Sequence, residues 1–266
     1  MSTPSLFDVS DKAVVVTGGS RGIGLMIARG FVEAGARVYI SSRKAEACDE
    51  AAASLSGLAG SCISVPADLA TPEGAAALVA AVSEQESALH VLVNNAGATW
   101  GAPLEEYPDS AFDKVFAINV KAVFHLTQQF LPLLRAAAGP DGESGEDPAR
   151  VINVGSIDGM RVPAMEAYAY GASKAAVHML TRHLAHRLAG ENITVNAIAP
   201  GPFESKMMAF VLGSQEGRDA VASGVPLGRI GRPDDMAGTA IFLASRAGSY
   251  LTGAVIPVDG GISTHG

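Results

Sequence analysis

Two cysteines, Cys48 and Cys62, are all that the 266 residues contain. So few exclude both a disulfide framework and a cysteine zinc site, and they fit a reducing compartment. Charge is sparse too, at 17% of residues, and the formal balance of −8 comes without a long run of lysine or arginine. A nucleic-acid surface needs a basic stripe to meet phosphates, so nucleic acid is excluded and a small-molecule partner is expected. No apolar run approaches the length of a membrane span, and Met1 to Lys12 lacks the apolar centre of a signal peptide. The expectation is a soluble, cytoplasmic protein with no membrane partner.

What the chain does have is apolar mass and glycine: 48% hydrophobic residues and 30 glycines, enough for a large core and many tight turns. Its length fits one domain spanning 1–266 around a single sheet. Ala13–Thr17 (AVVVT) is a short β-branched run that ends in a glycine cluster, the pattern of a buried parallel strand. Ile23–Ala34 then has helical spacing. Further strand-like runs stand at Arg37–Ser41, Cys62–Pro66, His90–Asn94, Arg150–Gly155, Thr194–Ala199 and Ala254–Val258, with Ala/Leu-rich stretches of helical length between most of them. This alternation predicts an α/β fold, a doubly wound parallel sheet of about seven strands with helices on both faces. Gly139–Pro148 (GPDGESGEDP) cannot bury apolar area and reads as a mobile surface loop. The stretch near 202–225 mixes Gly, Pro, Met and Phe without strand periodicity, as expected of a segment lying over a pocket mouth on the substrate side.

Thr17-Gly18-Gly19-Ser20-Arg21-Gly22-Ile23-Gly24 sits at the first strand-to-helix junction, the context in which clustered glycines serve phosphate binding. Gly18 permits a tight turn, Gly22 lets backbone approach a diphosphate, and Gly24 allows close helix packing. The helix N-terminus adds free N–H groups and the positive end of its dipole. A site for NAD would carry an acid after the second strand, to accept from the adenosine ribose 2′-OH. The chain instead reads Ser41-Ser42-Arg43-Lys44. Ser42 can donate to a 2′-phosphate and Arg43 can pair with it, with Arg21 as a second cation, so NADP(H) is the expected cofactor. The alternative is that Arg43 and Lys44 only solvate the next helix. Asp68, in Ala67-Asp68-Leu69 after the third strand, can accept from an adenine amino group or cap the helix that begins near Thr71, or do both.

Tyr170 and Lys174 form Y-x-x-x-K within a helical pattern over Ala167–Ala189, which sets both side chains on one face, one turn apart. A phenol with an ordinary pKa of about 10 donates protons poorly at neutral pH unless a nearby ammonium favours its phenolate, and Lys174 offers that charge. Asn153-Val154-Gly155-Ser156 ends a strand upstream and brings a hydroxyl to the strand-end crevice where open α/β sheets bind ligands.

The ordered set TGGSRGIG at 17–24, NNAG at 94–97, Asn119, Ser156, Tyr170-x-x-x-Lys174 and Pro200-Gly201 resembles the short-chain dehydrogenase/reductase family over nearly the whole chain. The resemblance implies a Rossmann-like fold and hydride transfer between NADPH and a carbonyl or alcohol carbon. It implies Tyr170 as general acid, Ser156 as the donor that polarises the carbonyl oxygen, and Lys174 as the residue that binds the nicotinamide ribose and lowers the Tyr170 pKa. Asn119 would hold a water behind Lys174. Cofactor contacts are implied for Gly18, Ser20, Arg21, Gly22 and Ile23, for Ser42, Arg43, Asp68 and Leu69, and for Asn95, Ala96 and Gly97. They are implied also for Tyr170, Lys174, Pro200, Gly201 and Ser205, with Ile198 beside the nicotinamide. Two departures stand out: the Ser156-to-Tyr170 interval is one residue longer than the commonest family spacing, and Ser205 stands where Thr is usual. Assembly as a homotetramer or homodimer is a further implication.

Within the family the chain looks most like bacterial NADPH-dependent 3-oxoacyl reductases of the rhamnolipid-precursor type, through Gly155-Ser156-Ile157, Tyr168-Ala169-Tyr170-Gly171 and RIGRPDDMA at 229–237. A general carbonyl, diketone, steroid or sugar reductase is the alternative. From another class comes a catalytically dead NADP-sensing protein, against which the complete Ser156, Tyr170, Lys174 and Asn119 set speaks. Met160, Val162, Pro163 and Met165 in Ile157–Ala169, with Phe203, Met207, Met208 and Phe210 further on, read either as an apolar pocket mouth for an acyl chain or as interface packing. Arg161 and Lys206 are the cations available to an acidic carrier. His178, His183 and His186 share one helix at spacings that do not bring all three to one face, so no metal site is expected and they read as helix surface or subunit contact. Trp100 reads as pocket wall or as ordinary packing.

Overall fold

A computed structural model of the chain describes residues 3–139, 147–163 and 165–264. A one-turn helix α1 (Thr3–Leu6) precedes the first unit, β1 (Ala13–Thr17), α2 (Gly22–Glu33) and β2 (Arg37–Ser41). Then follow α3 (Ala45–Ala53), β3 (Ser61–Ser64), α4 (Pro72–Ser83) and β4 (Val91–Asn94). The second half runs α5 (Asp109–Phe116), α6 (Ala122–Ala138), β5 (Ala149–Val154), α7 (Tyr168–Leu188) and β6 (Ile193–Pro200), and ends with α8 (Ala209–Leu212), α9 (Gln215–Ser223), α10 (Pro233–Ala244) and β7 (Val255–Val258).

The seven strands lie in the order β3-β2-β1-β4-β5-β6-β7, and every pair is parallel. Strand side chains alternate between two layers. Val14 and Val16 of β1 join Ile27 and Phe31 of α2 and Met236 and Ala240 of α10 on one face. Ala13 and Val15 join Leu78 of α4 and Leu126, Phe130 and Leu134 of α6 on the other. With helices on both faces, β1, β4, β5 and β6 are buried along their whole length, and that is why their apolar residues do not alternate with exposed polar ones.

The order runs outward in both directions from the β1–β4 pair, because the chain leaves β3 on one edge and returns beside β1. That reversal opens a crevice at the carboxyl ends of β1 and β4, and loops from β5 and β6 arrive on the same side. The 202–225 stretch contains the short helix α8 and the helix α9, the latter started by Ser214, whose side chain accepts from the Gly217 N–H. Phe203 is 2% exposed, packs on Gly231, where a Cβ would lie 2.2 Å from its ring, and lines a cavity of about 460 Å³ with Pro202, Pro226 and Leu227. Residues 140–146 of the expected surface loop, and the Phe210 side chain, lie outside the described residues.

Candidate active site

At the end of β1 the chain turns through Gly18, whose φ is +66°, and Gly22, whose φ is +53°. A Cβ on Gly18 would lie 2.9 Å from Asn95 Nδ2 and 3.0 Å from Ala96 Cα, and one on Gly24 would lie 2.3 Å from the Gly18 carbonyl oxygen. Backbone therefore packs directly on backbone, and no side chain fits at either position. Gly22 faces Ser205, whose Cβ would be 3.3 Å from a Cβ added there, so the loop after β6 comes down over the glycine turn. Arg21 occupies the N-cap of α2 without a side-chain cap. The first-turn N–H groups of α2 thus lack a side-chain acceptor and are free to meet an anion. Donors of this kind in a cradle stripped of side chains fit a dinucleotide diphosphate.

Polar bonds hold that cradle to the β4 turn. Thr17 Oγ1 accepts from the Asn95 N–H (2.9 Å) and the Ala96 N–H (3.0 Å), and Asn95 Nδ2 donates to the Thr17 carbonyl (2.8 Å) and the Gly18 carbonyl (3.2 Å). Gly19 N–H donates to the Ser41 carbonyl at 3.2 Å, which ties the loop to the end of β2. Ser42 is half-buried there and Arg43 exposed. Among the described residues neither Arg21 nor Arg43 has an ion-pair partner, so both remain available to a phosphate. The Ala67 N–H donates to the Ser42 carbonyl at 3.0 Å, bringing Asp68 to the same corner. Asp68 does not cap α4, however: it accepts from the Ala70 N–H at 3.1 Å in a local turn, and Thr71 caps the helix by accepting from the Gly74 N–H. Leu69 is buried in the core.

The second centre lies where β5 meets α7. Ser156 begins a single 3-10 turn, Ile157–Gly159, and its Oγ accepts from the Asp158 N–H at 3.1 Å. Its hydroxyl also faces the Tyr170 phenol. Burial pushes that phenol up to about 12; the Ser156 bond works in the opposite sense and the Asp158 charge adds to the rise. Lys174 Nζ stands 5.6 Å from the Tyr170 ring centroid and donates to the Val154 carbonyl at 2.7 Å. Burial brings this ammonium down to about 8. In this arrangement the ammonium is directed to a strand carbonyl.

Asn119 lies in a π turn, Ala117–Lys121, between α5 and α6, a distortion frequent at functional sites. Its side chain is fully engaged: Oδ1 accepts from the Ala98 N–H (2.8 Å), and Nδ2 donates to the Ala98 carbonyl (3.0 Å) and to Ser173 Oγ (2.9 Å). It fastens the loop after β4 to α7. A Cβ on Gly97 would come within 3.1 Å of Asn119 Oδ1 and 3.8 Å of Lys174 Nζ, so Gly97 leaves room beside both. Gly201 donates its N–H to the Val258 carbonyl (3.0 Å) and packs on Asp259, whose Cα would be 2.8 Å from a Cβ there. Pro200 is the last residue of β6, beside Ile198 in the same strand.

Some expected residues stand elsewhere. Met160, Arg161, Val162, Pro163 and Met165 do wall a cavity of about 520 Å³, but its other wall is the flank of α7, and Ser156, Tyr170 and Lys174 do not line it. His178 is not a surface residue, being 4% exposed, whereas His183 and His186 are exposed or half-buried. Trp100 is partly exposed under Lys114, whose Nζ lies 5.2 Å from the ring. Sequence reading passed over Thr17, whose place at the last strand position before the glycine turn was the available signal. Among the described residues no group of acids, cysteines and histidines could hold a metal, and no helix is long and apolar enough to cross a membrane.

Residues 18–263 match a family model described as enoyl-(acyl carrier protein) reductase. The chain is 51% identical over 255 residues to a rhamnolipids biosynthesis 3-oxoacyl-[acyl-carrier-protein] reductase of Pseudomonas aeruginosa, covering 96% of this chain and 97% of the relative. It is 33% identical over 264 residues to a gluconate 5-dehydrogenase of Gluconobacter oxydans, with 99% of each covered. Among solved structures, a Pseudomonas aeruginosa RhlG/NADP active-site complex superposes with a TM-score of 0.92 at 50% identity, over 97% of this chain and 99% of that one.

The depressed Lys174 pKa has a consequence for stability. A lysine that titrates at 10.5 when unfolded and at about 8 when buried binds more protons in the unfolded chain between those values. Stability therefore rises with pH through that window, as the folded state sheds its buried charge. In the nucleotide-free protein, the unfolding free energy of the native chain minus that of Lys174→Met is expected to grow from pH 8 to pH 10. A difference that stays flat, or shrinks, contradicts the burial of a charged Lys174.

Proposed function

The chain belongs to the short-chain dehydrogenase/reductase family, and on that premise we propose that it reduces 3-oxoacyl thioesters, the hydride being supplied by NADPH. The observation that carries the reading is the convergence of Ser156, Tyr170 and Lys174 at the end of β5: a protonated phenol facing a hydroxyl, with a buried ammonium 5.6 Å from its ring. A pure sensor has no use for a proton donor held there.

Ser156 and Tyr170 direct their hydroxyls at the carbonyl oxygen of the substrate, where negative charge develops as the carbon is reduced. Tyr170 gives its proton to that oxygen, so the product is the alcohol and the phenol is left as phenolate. Lys174 has two duties, holding the nicotinamide ribose and stabilising the phenolate; both require it to turn from the Val154 carbonyl. Asn119, its side chain already satisfied, contributes main chain to a water behind Lys174, from which the proton is replaced. Gly18, Ser20, Arg21, Gly22 and Ile23 take the diphosphate and adjoining ribose. Ser42, Arg43 and Arg21 would hold the 2′-phosphate, Asp68 and Leu69 would serve the adenine, Asn95, Ala96 and Gly97 its ribose, and Pro200, Gly201 and Ser205 the nicotinamide. The whole of 1–266 acts as one dinucleotide-binding and catalytic domain.

The acyl substrate is supported by the 51% identical relative and by exposed Met207 on the loop after β6, since methionine adapts to irregular chains. Arg161 and Lys206 are the cations placed to receive the thioester's phosphate-bearing arm. Cytoplasmic work as a homotetramer or homodimer belongs to the same proposal, supported by the exposed Phe112, Phe124 and Met179 along α5, α6 and α7.

Two experiments test this. With short and medium 3-oxoacyl thioesters, Tyr170→Phe is expected to keep NADPH affinity and lose about 10²–10⁴-fold in kcat, and Arg161→Ala to raise KM for thioesters alone. Near-native turnover in Tyr170→Phe removes it from the mechanism, and activity confined to a compact diketone or a sugar acid defeats the acyl reading. For the cofactor, Ser42→Asp with Arg43→Leu is expected to lower kcat/KM for NADPH and raise it for NADH, because a carboxylate repels a 2′-phosphate and accepts from a 2′-OH. Equal use of both cofactors by the unmodified protein contradicts the assignment.

A further inference from the structure

His178 follows Lys174 by one helical turn, as Lys174 follows Tyr170, so the three side chains share the inner face of α7. Its ring occupies an unusual place. A Cβ on Gly155 would lie 2.2 Å from His178 Nε2 and 2.7 Å from its Cδ2, and a Cβ on Gly159 would lie 2.9 Å from its Cε1. Gly155 and Gly159 are the residues on either side of the Ser156 turn. The imidazole is thus wedged against both ends of the segment that carries the Ser156 hydroxyl, in space that exists because neither end has a side chain.

The Gly159 backbone also faces the ring and favours its charged form, while Nε2 is buried without a partner. Burial, then the charges of Lys174 and Arg182, bring its pKa down to about 4, so the ring is neutral and keeps one N–H at neutral pH. The turn is held from other sides as well: Gly155 N–H donates to the Ile198 carbonyl (2.7 Å) and Gly159 N–H to the Ser156 carbonyl (3.0 Å), and a Cβ on Gly159 would lie 2.6 Å from the Lys174 carbonyl carbon. A leucine would fill the pocket without leaving a buried nitrogen unpaired, which is a cost to stability.

We propose that His178 is a positioning residue for the reduction: by wedging between Gly155 and Gly159, it sets the Ser156 hydroxyl at its working distance from Tyr170. The inference rests on the roles given to Ser156 and Tyr170 above. Turnover is sensitive to such placement, since a misplacement of about 1 Å can cost 10²-fold in rate.

The test uses the full chain with NADPH and the best 3-oxoacyl thioester. His178→Leu is expected to lower kcat about 10–100-fold while the NADPH dissociation constant stays within about twofold and the melting temperature within a few degrees. His178→Asn, whose Nδ2 overlays the imidazole Nδ1, is expected to regain much of that kcat. Where the leucine variant does not fold, Gly155→Ala supplies the decision: it is expected to lower kcat sharply in the native background and to be relieved when His178→Ala is added, because the clashing ring is gone. Unchanged kcat in His178→Leu, equal losses in the leucine and asparagine variants, or additive effects of Gly155→Ala and His178→Ala each overturn the inference while leaving an active reductase. An unmodified protein that oxidises no NADPH contradicts the reductase reading itself, and the inference with it.

Discussion

Everything at the carboxyl edge of the sheet depends on how closely the chain after β1 can approach the chain after β4. Gly18 and Gly24 allow main chain to touch main chain, and Asn95 and Ala96 donate four hydrogen bonds to Thr17 and Gly18 across the gap. That contact lies at the point where the strand order reverses, so it closes the floor of a crevice rather than filling it. Side chains at Gly18 or Gly24 would push the two turns apart and take the N-terminus of α2 away from any anion bound beside it. Because the β4 turn is itself fastened through Asn119 to Ser173 of α7, the nucleotide end and the Tyr170 helix form one connected framework.

The proton-donating end uses the same device, small residues that admit a close neighbour. Gly155 and Gly159 make room for His178, and the Ser156 turn is pinned between α7 and β6 as a result. Burial of Lys174 and Tyr170 raises the energetic cost of charge at both, holding the phenol protonated until a developing negative charge and a redirected ammonium favour its ionisation. Asp158, half-buried next to them and itself pushed up by burial, works in the same direction by disfavouring a second anion.

Sequence made the framework legible where structure is local. β1 and β2 run as the apolar pattern requires, and α7 matches its helical spacing to within a residue at each end. Cys62–Pro66 reads as a strand, and β3 is Ser61–Ser64; the Val65 and Ala67 N–H groups still donate to the Ile40 and Ser42 carbonyls (2.9 and 3.0 Å), so the missing Pro66 N–H falls on the outer edge, where it costs no ladder bond. Asp68 and Thr71 are both competent caps, and only the fold selects Thr71. His178 was illegible for a different reason: its burial depends on two glycines contributed by a loop some twenty residues away, and helix spacing carries no information about what packs against the helix. The apolar residues of 157–169 were legible as a cavity wall but not which cavity, because their position relative to Tyr170 is set by the path of that loop around α7.

The central claim is that a carbonyl carbon is reduced by NADPH at this site while its oxygen is protonated from Tyr170. Turnover of a 3-oxoacyl thioester with NADPH carrying deuterium at nicotinamide C4, in ordinary water, followed by mass spectrometry of the product, tests it most directly. The account expects one deuterium on the former carbonyl carbon of the 3-hydroxyacyl product and none at exchangeable positions. Product without carbon-bound deuterium, or no product while NADPH is bound, contradicts it.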